Sequence, residues 1–136
     1  MATLTQPRNT PQKVGDVFDF PGKAATTVNQ GGLVVLDAGF AAPGRTALGL
    51  VAVGRAELTV AAVAAGDALV PVRRGIFKFA NSAAADAIAQ ADAGADCYIV
   101  DDQTVAKTNG GNTRSRAGQI VGVDADGVWV QVGLGF

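Results

Sequence analysis

Beyond the first dozen residues the chain reads as short apolar runs cut by glycine. Val17-Phe18-Asp19-Phe20 stops at Pro21-Gly22, a turn pair. Leu33–Leu36 ends at Asp37 and Gly39, and Leu48–Val53 lies between Gly44 and Gly54. Ala56–Val63 sets Glu57 and Thr59 against Leu58 and Val60, the period of a half-buried strand. Ala68–Val72 contains Pro71, which has no amide hydrogen for a ladder and so reads as an edge strand. Ile76–Phe79 alternates again, and Cys97–Val100 is a further strand. Ile120–Val123 and Val128–Val132 flank Asp124-Ala125-Asp126-Gly127, which predicts a hairpin because Asp-Gly between apolar runs is a strong turn signal.

Two segments break this pattern. Residues 81–94 are dense in alanine, the best helix former, and predict a short helix over about 82–93. Asn81 or Ser82 would cap its start and Gly94 its end. Residues 1–13 hold Pro7, Pro11 and one large apolar residue after Met1, Leu4. Such a segment buries too little to fold alone and predicts an extended arm, either disordered or laid along a partner. The expected fold is therefore mainly β: a small β-sandwich or barrel with one short Ala-rich helix and an N-terminal arm. The division is an arm at 1–13 and a single β-rich domain at 14–136. No internal repeat of fixed period is evident.

Composition removes whole classes of chemistry. Among 136 residues there is no His and a single Cys, so His-based triads, Cys-His centres, the usual zinc sites and an internal disulfide are all ruled out. The 11 Lys and Arg against 12 Asp and Glu give a net charge of -1, without the basic excess of a duplex-binding domain. No apolar run approaches the ~20 residues of a spanning helix, and the start has no signal-peptide pattern. Neither nucleic acid nor membrane is an expected partner. Only 17% of residues are charged while 49% are hydrophobic, which points to contacts between copies.

Each remaining candidate has a plainer alternative. Asp101-Asp102 would point to opposite faces of a strand and form a turn more readily than a proton-sharing pair. Asp124–Gly127 lacks the remaining ligands of a calcium loop. Thr108–Arg116 is a polar loop without the Lys-Ser/Thr of a phosphate loop, and offers Arg114 and Arg116 to a partner. Cys97 has no basic neighbour in sequence and reads as a buried thiol. Arg73-Arg74 suits either an interface or a blunted sheet edge. Trp129 and Tyr98 sit in apolar strands and read as core. No catalytic residue, cofactor or metal is expected.

The order of motifs carries a resemblance. Arg73-Arg74-Gly75-Ile76-Phe77-Lys78-Phe79, the Ala-rich 81–94 segment, Cys97-Tyr98-Ile99-Val100-Asp101-Asp102 through Lys107, and Gly122–Val130 follow one another. In this the chain resembles the capsid cement, or head decoration, proteins of tailed phages, in the form found in Mu-like transposable phages and prophages. The likeness spans roughly residues 14–132, and the polar arm is longer than in commoner members. It implies a non-enzymatic virion protein on the capsid exterior, made in the host bacterial cytoplasm. It also implies clamping of neighbouring major capsid subunits of the expanded shell and assembly as a homo-oligomer, a trimer. Capsid contact would fall to Leu4, Gln6, Pro7, Arg8 and Pro11 of the arm. Contacts between subunits or with a partner would fall to Arg73, Arg74, Phe77, Arg114 and Arg116. The competing expectation is a ring-forming tail or head–tail connector component.

Overall fold

The computed structural model describes residues 2–13 and 15–136; Met1 and Val14, the first positions of the expected arm and domain, lie outside the described residues. The chain is mainly β. Its strands are β1 Val17–Pro21, β2 Thr26–Val28, β3 Leu33–Asp37, β4 Phe40–Pro43, β5 Val51–Ala56, β6 Val60–Ala62 and β7 Leu69–Arg73, followed by β8 Gly75–Phe79, β9 Asp96–Ile99, β10 Val105–Ala106, β11 Arg116–Asp124 and β12 Gly127–Val132. They form two five-stranded sheets, ordered β1-β7-β5-β3-β4 and β8-β12-β11-β9-β10, and a β2-β6 pair. Both large sheets curl until their end strands meet. Gly22 bridges Ala41 in the first, where the Lys23 N–H donates to the Ala41 carbonyl at 2.9 Å. Ala80 bridges Thr104 in the second, and the Val105 N–H donates to the Ala80 carbonyl at 3.0 Å. The result is two small barrels in tandem.

These barrels are copies of one topology. In chain order, the five strands of each sheet take the places first, fifth, fourth, second, third. Phe18 pairs with Val72 and Phe20 with Val70; Phe77 pairs with Val130 and Phe79 with Val128. Val17-Phe18-Asp19-Phe20 and Ile76-Phe77-Lys78-Phe79 are therefore equivalent. The β3–β5 and β9–β11 ladders share a register shift, next to Gly54 and Gly118 respectively. A Cβ on Gly54 would run into the Arg73 carbonyl, and one on Gly118 into the equivalent Gln131 carbonyl. The interiors correspond as well. Val34, Val53, Ala56, Val70 and Val72 fill the first; Cys97, Ala117, Ile120, Val128 and Val130 fill the second.

The two copies share a topology without a fixed sequence period. The spacing between equivalent positions drifts, from 58 residues between Val70 and Val128 to 64 between Gly54 and Gly118, because the connecting loops differ in length. Each core position also asks only for a small or branched apolar side chain, so identity is not retained. The two cores are joined across the barrels: Leu33, Val35, Ala42 and Leu50 of the first half pack into the cluster of the second. Ser115 pins this joint, its hydroxyl donating to the Ala47 carbonyl at 2.7 Å and accepting from the Leu50 N–H at 3.0 Å.

Three local expectations change. The Ala-rich segment forms two single 3-10 turns, Ala84–Asp86 and Gln90–Asp92, in place of one helix over 82–93. Asn81 does not cap it. Its side-chain amide donates to the Ile88 carbonyl and accepts from the Ile88 N–H, both at 2.9 Å, which occupies the backbone groups a continuous helix needs and draws Ile88 into the core. Alanines offer no apolar stripe wide enough to outweigh this. Pro71 is not on an edge strand, since β7 lies between β1 and β5. It sits opposite Glu57, just past the end of β5: its carbonyl accepts from the Glu57 N–H at 2.9 Å, and its missing amide hydrogen ends the β5–β7 ladder there. Ala56–Val63 is not one strand: β5 stops at Ala56, and β6 leaves to pair with β2.

Candidate interaction surfaces

Residues 2–13 are exposed throughout and form no strand. Leu4, Gln6, Pro7, Arg8 and Pro11 all stand in solvent there. The arm joins the body beside Arg74, whose N–H donates to the Asp16 carbonyl at 2.9 Å.

Arg74 is the centre of the first surface on the body. Its guanidinium lies 5.0 Å from the centroid of Phe136 and 6.0 Å from that of Phe18, and Nη1 donates to the Leu134 carbonyl at 2.8 Å. Nε is buried with no hydrogen-bond partner. Arg116 holds the same segment from the other side. It donates to the Phe136 carbonyl at 3.2 Å and pairs with Asp96 at 2.8 Å. On the Arg116 side of the segment lies an open cleft of about 250 Å³, whose walls include Arg116, Val51, Leu134 and Phe136. The last three side chains are exposed large hydrophobics. Gly133 makes the approach possible, because a Cβ there would collide with that of Arg74.

A second surface covers the outer side of β8 and β12. Because Val128, Val130 and Val132 point inward, alternation turns Trp129 outward, and it is 39% exposed. The expectation of a core tryptophan is thereby corrected. Ile76 and Val121 are exposed on the same face. Trp129 Nε1 donates to Asp124 at 3.1 Å, and Lys78 lies 5.1 Å over the indole and 3.0 Å from the same carboxylate. Lys78, then the Asp126 N–H, hold the Asp124 carboxyl down at about 2. Asp126, at the hairpin tip, is 3.9 Å from Lys78 and its side chain is 86% exposed.

The remaining sequence candidates separate into distinct places. Arg73 and Arg55 share Glu57, at 3.3 and 2.8 Å, and Arg55 stacks 4.4 Å over Phe77. The Arg55 hydrogen bond, more than the neighbouring charge of Arg73, holds the Glu57 carboxyl below its usual range. Arg114 braces its own loop: it lies 3.3 Å from Asp86 and donates to the Thr108 carbonyl at 3.1 Å. Arg74 and Arg116 are thus brought together, Arg73 meets Phe77 through Arg55, and Arg114 stands apart. Sequence reasoning missed Val51, Leu134 and Phe136; the available signal was an apolar residue on each side of Gly135, past the last strand.

The groups with reactive side chains are occupied structurally. Cys97 is buried between strands and burial pushes its thiol up to about 12. Asp101 Oδ1 accepts from the Gln103 N–H at 2.9 Å, shaping a turn, and the Asp102 carbonyl accepts from the Leu33 N–H at 2.8 Å at the joint between barrels. Asp102 and Gln103 border an open polar cleft of about 340 Å³ with Asn29 and Gln30. Among the described residues, no group of three or more His, Cys, Asp or Glu side chains is placed to hold a metal ion, and no helix is long and apolar enough to cross a membrane. Comparison with protein-family models, with curated proteins and with solved structures finds no match to this chain.

Proposed function

We propose that this chain is a structural virion protein that binds the outside of an icosahedral phage capsid and stabilises the expanded shell. The observation that carries the reading is an exposed, strand-free arm joined to a tightly closed body. A body whose strands close on themselves offers few free edges, so an extended arm is its means of reaching a neighbour. Pro7 and Pro11 fix φ along the arm and lower the entropy lost on docking. Residues 2–13 have roughly 40 Å of reach when extended, enough to cross onto an adjacent shell subunit. A protein that binds only the expanded shell stabilises it by its binding free energy, repeated over many copies. Weak individual contacts suffice if copies bind as a ring, because each contact raises the effective concentration of the next.

Co-sedimentation tests the reading. Purified protein should bind expanded, undecorated shells saturably, at many copies per particle, and leave compact precursor shells bare. Absence of binding to both overturns it. Deleting residues 2–13 should abolish shell binding while leaving the oligomeric state unchanged; undiminished binding by the truncated protein would remove the arm from the mechanism.

A further inference from the structure

The two barrels share a topology but not a charge. Residues 1–74 carry seven Lys or Arg against five Asp or Glu, and residues 75–136 carry four against seven. A molecule of net charge -1 is therefore basic in one half and acidic in the other.

The two surfaces described above repeat this split locally. The surface around residues 133–136 carries two guanidiniums, Arg74 and Arg116 on opposite sides of the segment, to the one carboxylate, Asp96, that pairs with Arg116. The β8–β12 face has two carboxylates, Asp124 and Asp126, to one ammonium, Lys78. Each surplus is set among exposed apolar side chains: Val51, Leu134 and Phe136 on one, Ile76, Val121 and Trp129 on the other. We propose that copies of this chain join head to tail, the surface around residues 133–136 of one copy, flanked by Arg74 and Arg116, receiving the Trp129 face and Asp126 hairpin tip of the next.

Charge favours this arrangement over the alternatives. Pairing either surface with its own image sets surplus like charges together. The arm is an unsuitable occupant of the cleft, since Arg8 and Lys13 are its only charged side chains and both are basic. Nor are the surfaces interchangeable between the barrels. Val132 stands where the first barrel has Arg74, and the tight Asp124–Gly127 turn stands where the first barrel has the longer 57–68 connection. A joint between unlike surfaces closes into a ring or runs on as a filament. The inference does not depend on shell attachment, and its test contains no shells.

Cysteine trapping distinguishes the geometries. Asp126→Cys and Leu134→Cys variants are prepared separately and oxidised alone and as a mixture; Cys97 is buried and takes no part. Head-to-tail joining gives a disulfide-linked dimer in the mixture and little in either variant alone. Predominant 126–126 or 134–134 dimers overturn the proposal. Sedimentation of the Asp126→Lys chain gives a second readout, because that side chain is 86% exposed and its replacement leaves the fold intact. Self-association should weaken about tenfold, the effect of ~1.4 kcal/mol. A wild-type chain that stays monomeric at micromolar concentration, or an Asp126→Lys chain that associates as tightly as wild type, also overturns it.

Discussion

Asp124 shows how much one side chain organises here. It caps the β11–β12 turn by accepting from the N–H groups of Asp126 and Gly127, at 2.8 and 3.2 Å, while holding Lys78 and Trp129. Its carboxyl titrates at about 2 in the folded protein, below an unfolded value near ~3.9. The depressed value means that the folded state binds the proton less readily. Its stabilising contribution is therefore complete above about pH 4 and is lost as the pH falls towards about 2. Denaturant unfolding from pH 5 to 2 should show an acid-side decline in stability, and Asp124→Asn should make that decline shallower. An unchanged slope would show that this carboxylate is not linked to folding. The turn itself was legible in the sequence as Asp-Gly between apolar runs. The ion pair was not, because Lys78 lies on a strand 46 positions away and only the register of Lys78 against Trp129 brings it near.

At the scale of elements, the strands were readable because alternation and glycine punctuation are local signals. What failed was anything decided by a distant partner. The Ala-rich segment has high helix propensity, yet Asn81 and Ile88 settle its conformation by tertiary bonding. Pro71 reads as an edge residue because the sequence does not reveal where β5 stops. The two bulge glycines test the repeat directly. Gly118→Ala drives a methyl group into the Gln131 carbonyl, which the backbone must move to accept, at about 1–3 kcal/mol. Gly54→Ala meets the same obstruction at Arg73 and also holds alanine at φ +144, so it should cost more. Gly122→Ala is the control, since its nearest neighbour is 3.7 Å away. Denaturation midpoints should fall furthest for Gly54→Ala, less for Gly118→Ala and least for Gly122→Ala.

For the whole molecule, the shared core decides how the barrels unfold. Leu33 and Val35 have no exposed surface, and they pack with the second barrel's interior instead of their own. Separating the barrels would bare both side chains and break the Ser115 bonds to Ala47 and Leu50. One calorimetric transition is expected, with calorimetric and van't Hoff enthalpies equal. Two resolved transitions would show that each barrel stands by itself. The candidate surfaces were only half legible at this scale. Arg74 and Arg116 stood out as arginines in suggestive contexts, but they are 42 positions apart, and only the path of residues 133–136 makes them neighbours.

That path also fixes where the body begins and where its last described residues run. A Cβ on Gly15 would lie 3.3 Å from one Arg74 amino group, and one on Gly135 would lie 3.2 Å from the other. Residues 15 and 135 therefore lie beside one guanidinium, within the span of a short linker. Joining residue 136 to residue 15 costs little closure entropy, and the exposed tip between Asp124 and Gly127 supplies a place to open the chain instead. The permuted protein would keep every strand pairing except the turn itself, and its new ends would emerge at the hairpin on the other barrel.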